Sequence, residues 1–255
     1  MADAAPQPVK IRLRGVSKAF AGKVVLDALD LDVIEGESVV VLGGSGTGKS
    51  VLLKHMIGLV RPDAGTIEVD GVELGSLSGL ELTTFRRRFG MAFQEGALFD
   101  SMTVWENVAF PLRRAKWEKR RVGERVAECL EMVHLEGAER KMPAELSGGM
   151  RRRVGFARAI ALEPKILLFD EPNTGLDPVI KAVIDELIVE LQEKLSSTTV
   201  TITHDLNSAY RIADRLALLF RGKIVAYAAP AEFRELDDAR VQQFLRGLPT
   251  GPLSD

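Results

Sequence analysis

A single cysteine, Cys129, stands in the 255 residues, so no disulfide can form within the chain. That fits a reducing compartment. Residues 1–8 have neither the basic start nor the apolar run of a secretory signal. Apolar stretches such as 39–42 and 166–169 are strand-length, against the ~20 residues that a bilayer-spanning helix needs. Charge of one sign is also missing. Thirty-four basic and 36 acidic residues leave a net charge of −2, which excludes a global field aimed at nucleic acid. There is no internal repeat and no low-complexity linker. The expectation is a soluble protein with no nucleic-acid partner, reaching a membrane only through another subunit.

What is present is the balance of an ordinary globular chain: 46% hydrophobic and 27% charged residues, enough for a real core. Basic residues cluster at Arg86–Arg88, from Arg113 to Arg121, and at Arg151–Arg153. They read either as solvated helix faces or as a surface for anionic lipid headgroups or an acidic partner.

Alternation and β-branching over 9–13 and 24–33 predict an antiparallel strand pair. Residues 38–42 are continuously apolar, as in a strand buried on both faces. A glycine-rich turn and a helix over 49–59 follow, then a strand over 65–69 entered through the turn at Pro62-Asp63-Ala64-Gly65. Residues 103–162 carry mainly helical periodicity. Strands over 166–169 and 199–202 flank a helix over 178–195, an order that implies parallel pairing. Residues 216–227 read as a closing hairpin turning at Arg221-Gly222, and the chain from Pro249 as a frayed tail. The expected fold is α/β, a parallel core with antiparallel N-terminal strands and a helical insertion.

Gly43-Gly44-Ser45-Gly46-Thr47-Gly48-Lys49-Ser50 fits G-x-x-x-x-G-K-[ST], between a buried strand and a helix. The glycines let the backbone wrap phosphate oxygens, and the helix N-terminus adds favourable potential for an anion. Lys49 would reach the β- and γ-phosphates of ATP, and Ser50 would ligate Mg²⁺. A dinucleotide site is disfavoured by Lys49-Ser50 and by the lack of a suitably placed ribose-binding carboxylate.

Ile166-Leu167-Leu168-Phe169-Asp170-Glu171 runs four apolar residues into two carboxylates. Asp170 is the candidate Mg²⁺ holder through water, and Glu171 the candidate general base for the attacking water. Ser147 is a good N-cap, and Gly148 and Gly149 allow close backbone approach, so a second helix start is suited to phosphate.

These motifs resemble those of the ABC ATPase family over residues 9–228. The resemblance implies a P-loop NTPase fold with a RecA-like core over 9–93 and 164–228, a helical subdomain over 94–163 and a tail over 229–255. Together these form one domain over 1–255. Leu146-Ser147-Gly148-Gly149-Met150 is similar to the family signature L-S-G-G-Q, with Met150 in place of glutamine. The phosphate-facing groups there are Ser147 and the glycine amides. The resemblance makes Gln94 the Q-loop glutamine, contacting Mg²⁺ and the lytic water. It makes His204 the switch histidine donating to the γ-phosphate, Asp177 the D-loop aspartate, and Phe20 the aromatic stacked on adenine, where tyrosine is usual. Thr174-Gly175 departs from the usual small-residue pair of the D-loop. His55, His134 and Cys129 match no family position and read as structural.

Family membership further implies a head-to-tail dimer, the signature motif of one copy covering ATP on the P-loop of the other. Large apolar residues after Gln94, namely Leu98, Phe99, Met102, Trp105 and Phe110, form either an internal core or the groove for a coupling helix of a membrane subunit. Phe93 to Phe99, Glu106 to Leu112 and Met150 are similar to the ATPases of the Mla phospholipid transport systems. That resemblance implies phospholipid cargo, an integral membrane permease, a periplasmic MCE subunit and a STAS-domain partner. It also implies a peripheral place on the cytoplasmic face of a bacterial inner membrane. Residues 239–248 are read as a short docking helix. Two other readings share the catalytic residues: the ATPase of a small-solute importer, and a soluble ABC ATPase such as an iron–sulfur assembly factor.

Overall fold

The computed structural model describes residues 8–94 and 96–254. The reading of residues 1–7, and of Glu95 in the segment after Gln94, lies outside them. The fold is α/β, and the chain divides into two compact units: Met1–Arg86 with Ala213–Asp255, and Arg87–Ile212.

The first unit opens with the expected antiparallel pair, β1 (Val9–Phe20) and β2 (Lys23–Ile34), longer than its alternation suggests. They turn at Ala21 and Gly22, both with positive φ (+48° and +82°), the backbone sense that matches strand twist in a two-residue hairpin. With β4 (Ala64–Val69) and β5 (Val72–Glu73) they form a sheet in the order β2-β1-β4-β5. The strand β3 (Ser38–Leu42) is buried at every position and pairs in parallel with β9 (Arg215–Phe220), Val39 opposite Arg215. β9 turns through Arg221 and Gly222 into β10 (Lys223–Ala228), as the hairpin signal predicts. Helix α1 (Lys49–Met56) ends before the expected Leu59. Gly58 adopts φ +66°, and the amides of Gly58 and Leu59 turn back to His55 and Lys54 carbonyls at 2.9 and 2.8 Å, a glycine-type stop. Helix α2 (Gly79–Phe85), capped by Ser78 and Glu81, follows.

The unit closes with α8 (Pro230–Glu235) and α9 (Ala239–Arg246). The expectation of a frayed tail is corrected here. Gln243 is buried and accepts from the Leu253 amide at 2.7 Å, while its own amide donates to Leu248 O at 3.1 Å and Ser254 Oγ at 2.8 Å. One glutamine thus satisfies the backbone of the last turns.

The second unit holds the parallel strands β8 (Thr198–Thr203), β7 (Ile166–Asp170) and β6 (Phe89–Ala92), in that order. It also holds α3 (Val104–Arg114), α4 (Lys119–Met132), α5 (Gly148–Ile160), α6 (Pro178–Leu195) and α7 (Leu206–Ile212). Its core holds Val108, Leu112, Val126, Leu130, Leu168 and Ile188, all fully buried, each contributing ~1.5–3 kcal/mol of transfer free energy, together with the edge-to-face pair Phe156 and Phe169. Cys129 is buried there too, and burial pushes its thiol up to about 12. Among the described residues no helix is long and apolar enough to cross a membrane.

Candidate nucleotide site

In the first unit, β3 ends at Leu42 and the glycine-rich turn leads straight into α1. Gly48 sits at the helix N-cap with φ +102°, and a Cβ there would come within 3.0 Å of Val25. Both conformation and space therefore require glycine. Gly44, Ser45 and Gly46 are exposed at the tip of the turn. Thr47 Oγ1 donates to Gly44 O at 2.9 Å. Lys49 is buried, and its ammonium donates to the carbonyls of Gly43 and Gly44 at 2.8 and 3.0 Å, curled over its own loop. Ser50 lies in the first turn of α1, which carries no acidic residue, so the amides there present an uncancelled positive end. Phe20 is 45% exposed at the end of β1, with Lys18 Nζ 5.5 Å from its ring centroid.

In the second unit, Asp170 is the last residue of β7. Glu171 follows with φ +49°, a left-handed conformation uncommon for glutamate, and its amide donates to Ile202 O at 3.0 Å. Its Oε2 accepts from Thr174 Oγ1 at 3.0 Å and lies 2.9 Å from His204 Nδ1. With Glu171 as a carboxylate, which only accepts, Nδ1 is the donor of this contact. The Glu171 carboxylate is largely shielded (14% exposed), while the His204 ring is open (56%). Beneath this pair Asn173 is buried, donating to Asp185 Oδ1 at 2.5 Å and Ser208 Oγ at 2.9 Å. Burial raises the Asp185 carboxyl, against the bonds from Asn173 and Ser208 that lower it. Asp205 sits 2.6 Å from Lys181; burial would raise its carboxyl, but that pairing and the Ser208 amide leave it lowered.

Ser147 caps α5, its Oγ accepting from the Met150 amide at 3.2 Å, a bond worth ~1 kcal/mol to the helix. Gly148 and Gly149 form the first turn. Asp177 caps α6, accepting from the amides of Val179 and Ile180 at 3.0 and 3.1 Å. Gln94 is exposed in the turn after β6. Its carbonyl accepts from Arg152 Nε at 2.6 Å.

Past Gln94, none of the five large apolar residues lies in the buried core: Leu98, Met102, Trp105 and Phe110 are half-buried and Phe99 is exposed. Val104, Val108 and Leu112 fill the core. Phe99 and Phe110 pack together at 4.8 Å between ring centroids and line a surface groove of about 370 Å³ with Phe93, Pro111 and Arg158. The groove wall is held by Asn107, fully buried, which binds the amide and carbonyl of Phe99 and the carbonyls of Met102 and Thr103. In two of the three arginine clusters some side chains also bind backbone, while Arg87, Arg88 and Arg151 stay exposed. Arg86 donates to the carbonyls of Ile57 and Gly58, and Arg151 and Arg153 to those of Leu146 and His134. Asn107, Arg152, Asn173 and Asp185 escape sequence reasoning. Their one signal is a polar side chain at an apolar position of a helix or turn.

A strand, a glycine-rich turn and a helix opening on Lys49-Ser50 define a P-loop nucleotide-binding protein. The chain belongs to the ABC transporter family as one of its ATP-hydrolysing, ATP-binding subunits: the family profile described as ABC transporter matches residues 26–174. The chain is 42% identical over 249 residues to the probable ribonucleotide transport ATP-binding protein mkl of Mycobacterium leprae, covering 97% of this chain and 72% of that one. It is 41% identical over 244 residues to the intermembrane phospholipid transport system ATP-binding protein MlaF of Escherichia coli, covering 95% and 91%. Among solved structures, the dimeric post-hydrolysis state of the ATP-binding cassette MJ0796 bound to ADP and Pi superposes with a TM-score of 0.79. Its identity is 33%, and the match covers 86% of this chain and 98% of that one. CbiO1 of Clostridium perfringens, part of the transporter complex cbiONQ, gives a TM-score of 0.84 at 28% identity, covering 95% and 97%.

Proposed function

We propose that the chain powers phospholipid transport through a separate membrane permease, hydrolysing ATP in a head-to-tail dimer of itself. The observation that carries the chemistry is the Thr174–Glu171–His204 arrangement at the end of β7, where two donors on Oε2 hold the carboxylate in place.

In this reading Lys49 and the amides of 43–50 bind the β- and γ-phosphates, and Phe20 stacks on adenine. Glu171 takes a proton from water as the water oxygen bonds to the γ-phosphorus. The bridging P–O bond breaks, and its electron pair stays on the β-phosphate oxygen of ADP. His204, its Nδ1 engaged at Glu171, turns Nε2 toward the γ-phosphate. Ser50, Asp170 and Gln94 each carry a hard oxygen donor. No cluster of three or more His, Cys, Asp or Glu suited to a metal exists among the described residues. That donor set fits Mg²⁺, an ion held by one or two protein oxygens plus phosphates and water. Bound Mg²⁺ would neutralise charge developing on the phosphate oxygens.

Ser147, Gly148 and Gly149 present a second helix start to the γ-phosphate on the partner copy, with Asp177 beside the junction. ATP then bridges two copies and hydrolysis releases them. The Phe99–Phe110 groove receives a segment of the permease, and the chain sits peripherally on the cytoplasmic face of a bacterial inner membrane. An MCE subunit and a STAS-domain protein complete the assembly. Coverage of 91% of the E. coli phospholipid transport protein supports the lipid reading.

A second cargo, a ribonucleotide, is favoured by the mycobacterial relatives' description, although the chain covers only 72% of the M. leprae protein. ATPase activity of the complex purified from membranes separates the two. Stimulation by phospholipid and not by ribonucleotides supports the first reading, and the reverse overturns it.

A further inference from the structure

Arg152 occupies the second turn of α5, one helical step beyond Ser147-Gly148-Gly149, yet it is only 6% exposed. An arginine buried to that degree is costly unless it finds acceptors. Its Nε donates to Gln94 O at 2.6 Å, and its Nη2 donates to the carbonyl of Thr174. One planar guanidinium therefore joins the backbone of the turn after β6 to the backbone of the turn after β7. Thr174 is also the residue whose hydroxyl donates to Glu171 Oε2. The chain of contacts runs from the Gln94 carbonyl through Arg152 to the Thr174 carbonyl, and from the Thr174 hydroxyl to the carboxylate.

We infer that Arg152 and Thr174 are positioning residues for hydrolysis, a rigid link through which the Gln94 turn sets the orientation of the Glu171 carboxylate. The inference rests on the reading of Glu171 as the base. The guanidinium holds both carbonyls in its fixed plane, which a lysine ammonium on a flexible stem cannot do. A second fixed point supports the same assignment. Thr174 cannot drift with the link broken at one end only, because its amide also donates to Glu171 O at 3.4 Å and the neighbouring Asn173 is anchored on Asp185 and Ser208. Losing Arg152 therefore tilts Thr174 about that anchor rather than releasing the turn. A cavity of about 460 Å³ borders Arg152 and Thr174. Water entering it can reach the Thr174 carbonyl when the side chain is shortened, and retained ATP affinity reports that the variants fold.

The test is steady-state hydrolysis and ATP affinity of the full chain for Arg152→Gln, Thr174→Val, Thr174→Ser and the double variant Arg152→Gln/Thr174→Val. Each is made alone and with Glu171→Gln. Arg152→Gln and Thr174→Val should each lower kcat by about tenfold or more, the scale of a displaced catalytic group, with ATP affinity within about twofold of wild type. Thr174→Ser should restore kcat. The double variant should fall no further than the worse single one, since both act on one carboxylate, and neither should cost anything further with Glu171→Gln present. Wild-type kcat in Arg152→Gln or Thr174→Val, multiplying losses in the double variant, or parallel loss of ATP affinity would overturn the link. Wild-type turnover in Glu171→Gln would instead overturn the reading of Glu171 beneath it.

Discussion

His204 Nδ1 lies 2.9 Å from Glu171 Oε2, and the histidine follows β8 as the glutamate follows β7. Adjacent parallel strands thus deliver both side chains to one end of the sheet in the second unit, the end where ligands of α/β folds bind. The pair is far apart in sequence but fixed by register, Asp170 standing opposite Ile202.

Glu171→Gln keeps the shape of the side chain and removes the proton acceptor. Turnover should drop by at least about a hundredfold, the contribution of a general base, with ATP still bound. Lys49→Ala should act the other way round, weakening ATP affinity by about tenfold or more through loss of a charged donor to phosphate. Nucleotide titration by fluorescence and phosphate release separate the two effects.

Asn107 carries four hydrogen bonds to the backbone of 99–103 from a fully buried position. Asn107→Ala takes the Asn107 partner from the Phe99 amide and Met102 carbonyl, while the Phe99 and Thr103 carbonyls keep the backbone amides of Met102 and residue 107. It should cost ~2–4 kcal/mol of stability, seen as a lowered Tm, and should loosen Phe99 at the groove.

Gly155 faces the turn that carries Gln94. A Cβ at this position would lie 2.8 Å from Gly96 Cα and 3.1 Å from its carbonyl oxygen, too close for backbone to tolerate without shifting. Gly155→Ala should therefore move that turn away from α5. The measurement is partner-stimulated ATPase activity, expected to fall more than the activity of the chain alone.

Much of the fold and of the site is legible in the amino-acid sequence. Residues 178–195 form one helix because Asp177-Pro178 starts it and Ser196, in a left-handed conformation, stops it. Likewise the P-loop, the two carboxylates after β7 and the Ser147 cap follow from local rules of turns and helix starts. The rest depends on contacts distant in sequence. Nothing near Arg152 announces that its guanidinium spans 58 residues back to Gln94. Nothing near Gln243 announces that it will pin the last turns. Helix α7 escapes a sequence reading because its seven residues are too few for periodicity to register.

His55 gives a pH test of stability. It is fully buried, Nδ1 2.7 Å from Val51 O. Burial holds its pKa below the ordinary value of 6.5; the Val51 carbonyl and Asp63 pull the other way, while Lys18 adds to the lowering. The unfolded chain therefore binds a proton more readily than the folded one. Its contribution to stability is complete above pH ~6.5 and is lost as pH falls below that value. Denaturant midpoints between pH 7 and 5 should decline in the wild type and decline less in His55→Gln.

The most direct test of the central claim uses the chain's own chemistry. Cys129 is buried with its thiol pushed up to about 12, so it does not compete for thiol reagents. A Glu171→Gln chain carrying Ser45→Cys and Met150→Cys, assembled with its membrane partners, is treated with a short bis-maleimide with and without ATP. ATP-dependent cross-linking between two copies, joining the glycine-rich turn of one to the α5 start of the other, is the predicted result. Cross-linking that never forms between copies, or that is indifferent to ATP, would contradict the account.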